Sequence, residues 1–182
     1  MTDPHGTLRT PRLTVRPMVP ADLDALLHGL QDPDRPWAAG YPLDETLIAA
    51  QVVDGRASLD DPDALGPWTQ YQLVLDGEGV VIGDFTFLSP PDRDRVALIT
   101  FAIAPERRGN GYATEAVRAI VAWARGRREL RGLRADTDLV NPASHSVLRA
   151  AGLAVVHDDG DRQVYELRWE RPERIARAIA AD

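Results

Sequence analysis

The sequence predicts a mixed α/β (α+β) domain with a mostly antiparallel central sheet of about seven strands and about four flanking helices. Three observations lead to this prediction: short runs in which apolar and polar residues alternate, longer segments with helical periodicity, and a strand–helix–strand crossover that follows antiparallel hairpins. The chain has 182 residues, which suits one hydrophobic core. We therefore expect a single domain over 1–182, with its core over about 8–170 and a terminal helix or tail over 171–182.

The first predicted strand and helix lie near the N-terminus. RLTVRPM, residues 12–18, alternates apolar and polar residues as a strand does. Pro20 follows at a position where helices often begin. The helix after it should present one apolar face, made of Leu23, Leu26, Leu27 and Leu30.

A loop and a second helix come next. The loop over 32–42 is rich in Pro, Gly and Asp and carries two aromatic residues, Trp37 and Tyr41. A helix over 44–57 should follow, with Asp44 as its N-cap. Its inward face should consist of Leu47, Ile48 and Val52.

Three strand-like runs occupy the middle of the chain, over 68–75, 79–88 and 94–104. DGEG joins the first two as a hairpin turn, and SPPDRD joins the second to the third. This part of the sheet should therefore be antiparallel.

The C-terminal half supplies the crossover and a last hairpin. The segment over 112–128 has an apolar stripe at helical spacing, made of Ala113, Ala116, Val117, Ile120, Val121 and Ala124. The strand over 130–139 should turn one face inward, with Leu133, Ala135 and Thr137 on it. NPASHSVLRAAG is typical of a short helix that Asn141 caps and Gly152 ends, and two strands over 153–159 and 162–170 form the final hairpin.

Composition excludes several classes of function. The chain lacks cysteine, so it has no disulfide, thiolate–zinc site or cysteine nucleophile, and its four histidines are too scattered to indicate a metal site. A net charge of −7 disfavours non-specific binding to nucleic acid or to an anionic membrane. The N-terminus has no signal-peptide pattern and no apolar run is long enough for a membrane helix, so we expect a cytoplasmic protein.

The stretch APERRGNGYATEA, residues 104–116, predicts a phosphate-binding loop between a strand and a helix. It is not a nucleotide P-loop, because no Lys-Ser/Thr pair follows the second glycine, and it fits the dinucleotide fingerprint poorly. It does match the pattern R/Q-x-x-G-x-G/A from Arg108 to Ala113, in which backbone N–H groups converge on an anion. A simple glycine turn before a helix stays as the alternative.

Three motifs in order resemble one family. LRTPRLTVRPM, PERRGNGYATEA and NPASHSVLRAAGL are similar to the opening, central and closing motifs of GNAT N-acetyltransferases, in the branch of the ribosomal-protein N-terminal (RimJ/RimL-type) acetyltransferases. They span roughly 8–153. Leu153 replaces the Phe of the closing motif, and Glu106 departs from the R/Q of a neighbouring register.

The resemblance implies a GNAT fold with a splayed parallel strand pair and a site for acetyl-CoA. Pantetheine would bind backbone groups near Ile103, in the gap between the two strands. The pyrophosphate would bind the loop residues Arg108, Gly109, Asn110, Gly111, Tyr112 and Ala113. Asn141 matches a position that contacts the cofactor arm and is also a helix cap, whereas we interpret Glu115 as structural.

The catalytic residues are less directly indicated. The tyrosine acid that many family members carry is replaced by Leu148, so Ser144 is our candidate for donating to the thiolate or fixing the cofactor. Asp84, inside an apolar strand, is the candidate base because burial would raise its pKa; binding the substrate ammonium group and lying on an exposed face are its alternatives. Tyr165 is a second candidate acid. His145 is expected to be exposed. The candidate walls of the acceptor pocket are Trp37, Tyr41 and Trp68.

The function implied by the resemblance is direct attack of a primary amine on acetyl-CoA, without a metal. The acceptor is a protein N-terminus or a small molecule, and we favour the small molecule because the branch contains many such enzymes. A catalytically silent acyl-CoA-binding or sensing module on the same fold is an alternative, since the tyrosine is missing. An NAD(P)H-dependent oxidoreductase without the GNAT fold is a further, less favoured alternative. Assembly as a homodimer is compatible with the sequence.

Overall fold

The computed structural model describes residues 6–56 and 65–170, and every strand within these ranges belongs to one mixed sheet. In chain order the strands are β1 (Leu8–Arg9), β2 (Leu13–Pro17), β3 (Gln70–Leu75), β4 (Val80–Phe87), β5 (Val96–Ile103), β6 (Gly132–Asp138), β7 (Ala154–Asp158) and β8 (Arg162–Arg168). Their spatial order is β1-β2-β3-β4-β5-β6-β8-β7. Neighbours pair antiparallel except β5 and β6, which are parallel. The predicted mixed sheet is confirmed.

The sheet has one strand more than the seven that the sequence predicts. The additional strand is β1, which pairs Leu8 with Val15 and Arg9 with Thr14 of β2. Two residues are too few to show an alternating pattern. This strand exists because the chain turns back on itself before β2, and local periodicity does not report such a turn.

Four α-helices cover the two faces of the sheet: α1 (Pro20–Leu27), α2 (Asp44–Asp54), α3 (Tyr112–Arg125) and α4 (Pro142–Ala150). On β4, Asp84 contacts Thr46 of α2, and Phe87 packs against Trp123 of α3. These two β4 residues are three positions apart and so point to opposite faces. Helix α2, with α1 packed against it, therefore covers one face, and α3 covers the other.

Helix α2 begins at Asp44 as predicted, and Leu47 packs against the core, but the predicted N-cap and the inward positions of Ile48 and Val52 are wrong. Leu43 is its N-cap and Asp44 is its first residue. Ile48 and Val52 are 62% and 43% exposed, because the buried face consists of smaller side chains instead, namely Thr46, Ala49, Ala50 and Val53. Small residues on this face let the helix approach the sheet closely.

Other predicted ends need smaller corrections. Helix α2 ends at Asp54, while residue 57, its predicted end, lies outside the described residues, as does the predicted tail over 171–182. Leu30 lies beyond the end of α1 and is 62% exposed, so it does not belong to the helical face assigned to it. Within the described part of the chain, none of the helices has the length and apolar character that a membrane crossing requires.

The C-terminal half follows its predicted pattern. Helix α3 buries Ala116, Val117, Ile120, Val121 and Ala124 against the sheet, whereas Ala113, also predicted on this face, is half-buried. The inward face of β6 consists of Leu133, Ala135 and Thr137, each less than 9% exposed. These elements complete the crossover from β5 through α3 to β6, and the candidate site lies at its open end.

Candidate active site

The parallel strands β5 and β6 diverge. They pair at three positions only, Val96 with Gly132, Ala97 with Leu133 and Leu98 with Arg134, although β5 continues to Ile103. The Ala104 N–H donates to Ile82 of β4 at 2.9 Å. Because successive residues of a strand direct their backbone groups to opposite edges, those of Ile103 point towards the gap. Polar backbone groups thus line the opening between the strands.

The glycine loop lies at the mouth of this gap. A short 3-10 turn over Pro105–Arg107 follows β5, and both Gly109 and Gly111 then have φ +78, a conformation that side chains disfavour. Gly111 is the N-cap of α3, which has 14 residues. The first N–H groups of a helix lack intrahelical partners and, with the helix dipole, favour an anion. The loop therefore ends in an anion-binding helix terminus.

Side-chain donors hold several carbonyl groups around the loop. Asn110 Nδ2 donates to the carbonyl oxygens of Arg107 and Arg108, at 3.1 and 3.0 Å. Arg108 Nε donates to the Ile103 carbonyl oxygen at 2.9 Å. The side chain of Arg108 thus joins the loop to the end of β5.

One cleft of about 600 Å³ connects the strand gap with the loop. The cofactor-binding residues predicted from the sequence that line it are Ile103, Arg108, Gly109, Gly111, Tyr112, Ala113, Asn141 and Ser144. Asn110 is the exception, because its side chain folds back onto loop carbonyls. The lining residues that the sequence did not single out are Glu45, Phe101, Ala102, Arg107, Thr114, Asp138, Val140, Ala143 and Val147. The exposed Val140 precedes the predicted cap Asn141, a proximity that could have identified it.

Helix α4 brings Asn141 and Ser144 to the far wall of the cleft. Asn141 is the N-cap, and its Oδ1 accepts from the backbone N–H of Ser144 at 3.1 Å. This contact uses the backbone of Ser144, so the half-buried hydroxyl group of Ser144 is not what caps the helix. Both residues line the same cleft as the glycine loop.

Asp84 lies just behind the opposite wall of the cleft. It is 1% exposed and faces Ala102 of β5, which lines the cleft. Burial raises the pKa of Asp84 to about 7, against the effect of hydrogen bonds from Thr46 and Gln70, and the nearby Glu45 carboxylate raises it further. Thr46 Oγ1 donates to Asp84 Oδ2 at 2.6 Å. A carboxyl group with this pKa can exchange a proton near neutral pH.

Tyr165 and His145 form a buried pair beside the cleft lining. The Tyr165 hydroxyl group lies 2.9 Å from His145 Nδ1 and 3.1 Å from Gln163 Oε1. The expectation of an exposed His145 is wrong, since this residue is 8% exposed. The β8 strand places Tyr165 directly under α4, and the tyrosine covers the imidazole. Neither side chain is part of the cleft lining.

The aromatic residues predicted for the acceptor pocket separate into two groups. Trp37 and Tyr41 pack edge-to-face at 5.9 Å, in a loop whose Ala39 N–H donates to Glu106 Oε1. The Tyr41 hydroxyl group is buried without a hydrogen-bond partner, and its pKa is raised well above its usual value by burial and by the charge of Asp84. This loop therefore borders both Asp84 and the 3-10 turn that leads into the glycine loop.

Trp68 belongs elsewhere. Its ring packs against Phe87 and Trp123, with centroids 5.3 and 6.1 Å away, on the α3 face of the sheet. Thr46 and Asp84 lie on the other face. The prediction that Trp68 walls the acceptor pocket is therefore corrected: the ring is part of the aromatic core.

Solved structures with this fold are numerous. An acetyltransferase from Agrobacterium tumefaciens str. C58 superimposes with a TM-score of 0.63 and 23% identity, over 93% of this chain and 98% of that one. The ribosomal-protein-S5-alanine acetyltransferase of Vibrio fischeri superimposes with a TM-score of 0.63 and 16% identity, over 89% of this chain and 96% of that one. RimL, the ribosomal L7/L12 alpha-N-protein acetyltransferase, was solved in complex with coenzyme A. It superimposes with a TM-score of 0.60 and 13% identity, over 87% of this chain and 95% of that one.

Sequence comparison gives the family. No curated protein matches the chain. The family model described as "Acetyltransferase (GNAT) domain" matches residues 12–154, which include the strand gap, the glycine loop and α4. Two of the three structural neighbours above are named as ribosomal-protein acetyltransferases, and at these identities they show a shared fold. The chain belongs to the GNAT family of acetyltransferases.

Proposed function

We propose that this protein transfers the acetyl group of acetyl-CoA to a primary amine by direct attack. The observation that carries the proposal is the cleft itself. It joins a gap between diverging parallel strands to a left-handed glycine loop at a helix N-terminus. Such a cleft suits a ligand that has an extended polar arm and an anionic end.

The residues fit acetyl-CoA part by part. The Ile103 N–H, which points into the gap, suits a carbonyl oxygen of pantetheine, whereas the Ile103 carbonyl oxygen already accepts from Arg108. The N–H groups from Gly109 to Ala113 suit the pyrophosphate. Asn141 and Ser144 on the opposite wall suit the thioester end. The RimL structure in complex with coenzyme A gives independent support, because it shares this fold.

Asp84 is proposed to accept a proton, and Ser144 is proposed to donate a hydrogen bond. When bound, acetyl-CoA supplies an activated thioester. The attacking amine must lose a proton as the new C–N bond forms, and Asp84, with its pKa near 7, is the proposed final acceptor of that proton. The thiolate that leaves as the C–S bond breaks is proposed to accept a hydrogen bond from the Ser144 hydroxyl group, which keeps its own proton, and solvent then protonates the sulfur. General acid or base groups contribute about 10²–10⁴-fold each.

The acceptor is proposed to be a cationic primary amine. Three features support this: Glu45 lines the cleft beside Thr46, Asp84 lies behind Ala102, and the chain has a net charge of −7. Both a small molecule and a protein N-terminus satisfy this chemistry. The RimL and S5-alanine acetyltransferases are named for ribosomal-protein acceptors, which supports including the second kind.

The test is the release of free CoA with a panel of amines. The panel combines small polyamines and amino sugars with peptides that begin in alanine or serine. Turnover that requires an amine supports the proposal, whereas tight binding of acetyl-CoA without turnover on any amine favours the silent binding module. A melting temperature raised by NAD(P)H but not by acetyl-CoA overturns the donor assignment, since a ligand at 100 times its Kd stabilises by about 2.7 kcal/mol.

A further inference from the structure

Arg12 and Glu115 connect two segments that are distant in the sequence. Glu115, in the first turn of α3, accepts hydrogen bonds from Thr10 Oγ1 at 2.6 Å and from the Arg12 backbone N–H at 2.9 Å. The Arg12 guanidinium contacts Glu115 Oε2 through Nε at 2.7 Å and Nη2 at 2.6 Å. The turn between β1 and β2 is thereby fastened to the start of α3.

The same guanidinium also contacts the glycine loop. Arg12 Nη1 donates to the carbonyl oxygen of Asn110 at 2.9 Å, and the guanidinium lies over the Tyr112 ring, 4.5 Å from its centroid. Arg12 thus contacts the residues on both sides of Gly111. The guanidinium thus donates to two acceptors, Glu115 and Asn110, while its face lies over the Tyr112 ring. A planar group with several donors can make all three contacts at once.

The contact with Asn110 sets the orientation of one peptide group. In a trans peptide the C=O and the following N–H point in opposite directions. Gly111 lies between the cleft and a groove on the other side that Arg12 and Glu115 line. With the Asn110 carbonyl held on the groove side, the Gly111 N–H points to the cleft side. The opposite orientation would direct a carbonyl oxygen at the phosphates.

From this geometry we infer that Arg12 is a positioning residue for the donor's pyrophosphate, acting from outside the cleft through Glu115 and the 110–111 peptide group. The inference rests on the proposed function, because it takes coenzyme A as the donor. It assigns a role to the N-terminal hairpin, which contributes no side chain to the cleft lining described above. It also accounts for the contacts of Glu115 with Thr10 and Arg12, which a favourable interaction with the helix dipole alone does not.

The experiment compares two donors that differ in the pyrophosphate. In Arg12→Ala we expect the Kd for CoA and the KM for acetyl-CoA to rise about tenfold or more, with kcat at saturation within about twofold of the wild type. The KM for S-acetylpantetheine, which lacks the pyrophosphate, should not change. The matched control is Arg9→Ala, which removes the same charge from the same groove; Arg9 donates to Thr14 and does not contact the loop.

The possible failures are distinguishable. A wild-type protein that does not bind CoA overturns the proposed function. A wild-type protein that binds CoA, together with an Arg12→Ala variant that binds it equally well or loses both donors equally, overturns the positioning role. If Arg12→Ala has no cooperative melting transition, Arg12→Lys is measured by the same criteria. Lysine keeps the charge but cannot reach Glu115 and Asn110 together. The KM for acetyl-CoA should therefore still rise, while the KM for S-acetylpantetheine should not change.

Discussion

Thr46 of α2 donates a 2.6 Å hydrogen bond to Asp84 of β4, across the interface between helix and sheet. This bond favours the ionised carboxyl group, whereas burial favours the neutral one and dominates. The balance raises the pKa of Asp84 to about 7, where a small change of pH alters its charge. Asp84 therefore links the chemistry of the proposed acceptor site to the stability of the fold.

The rate should depend on pH through Asp84. In the wild type we expect kcat/KM for the amine to rise with pH through about 7, as Asp84 becomes ionised. Asp84→Asn should lower the rate about 10²-fold and remove this inflection. The measurement is a pH–rate profile of both proteins, with the Kd for CoA as the control that should not change. An unaltered profile in the variant would show that another group is the base.

Stability should depend on pH in a direction that follows from the same raised pKa. The folded pKa is about 7 and the unfolded one is about 4, so the folded state binds the proton more tightly between these values. The resulting stabilisation is present in full below pH 4 and is lost as the pH rises through 7. Relative to Asp84→Asn, the wild type should lose unfolding free energy over this range, by at most about 1.4 kcal/mol for each pH unit. Urea unfolding at several pH values measures the difference, and parallel curves contradict the prediction.

Gly111→Ala should separate backbone strain from donor binding. At φ +78, alanine costs roughly 1–2 kcal/mol of stability, and we expect the distorted loop to weaken CoA binding at least tenfold. Gly29→Ala is the matched control, because Gly29 has φ +67 and lies after α1, outside the cleft lining. Both variants should lose similar stability in thermal melts. Calorimetric titration with CoA should distinguish them, and equal affinities would count against the loop assignment.

Ser144→Ala should affect turnover more than folding. The Asn141 cap uses the Ser144 backbone N–H, which alanine keeps, so the melting temperature should change little. If the hydroxyl group donates a hydrogen bond to the leaving thiolate, a contribution of about 1.5–3 kcal/mol is lost, so kcat should fall by about 10-fold to 10²-fold while the Kd for CoA is retained. Ser146→Ala, at an exposed position of the same helix, is the control. A full-rate Ser144→Ala enzyme would assign stabilisation of the thiolate to another group.

Several features of the protein could be predicted from local patterns. The apolar stripe of α3 has a period of 3.6, and the cap at Asn141 needs only its own first helical turn. The two glycines of the loop indicate left-handed backbone because few other residues adopt it. The apolar neighbours of Asp84 in its strand indicate burial, and the structure decides for it over the exposed position that was the alternative.

The errors share a different cause. Helix α2 has more than one apolar face, and the face with the smaller side chains packs against the sheet. Ile48 and Val52 are therefore exposed. His145 is buried because a tyrosine 20 residues later pairs with it. Trp68 is assigned to the core by its contacts with Phe87 and Trp123. In each case the partner is distant in the chain.

The sequence by itself determined the glycine loop and the helix that faces it, because each depends on residues within a few positions of one another. It also indicated the family and the crossover, because several such local patterns occur in a fixed order along the chain. Only the tertiary structure decided how these parts meet: which strands diverge, which side chains the cleft excludes, and that Arg12 reaches Glu115 and Asn110. Contacts across about 100 residues arise from the packing of whole elements, and no local period or motif encodes which side chains will then be neighbours.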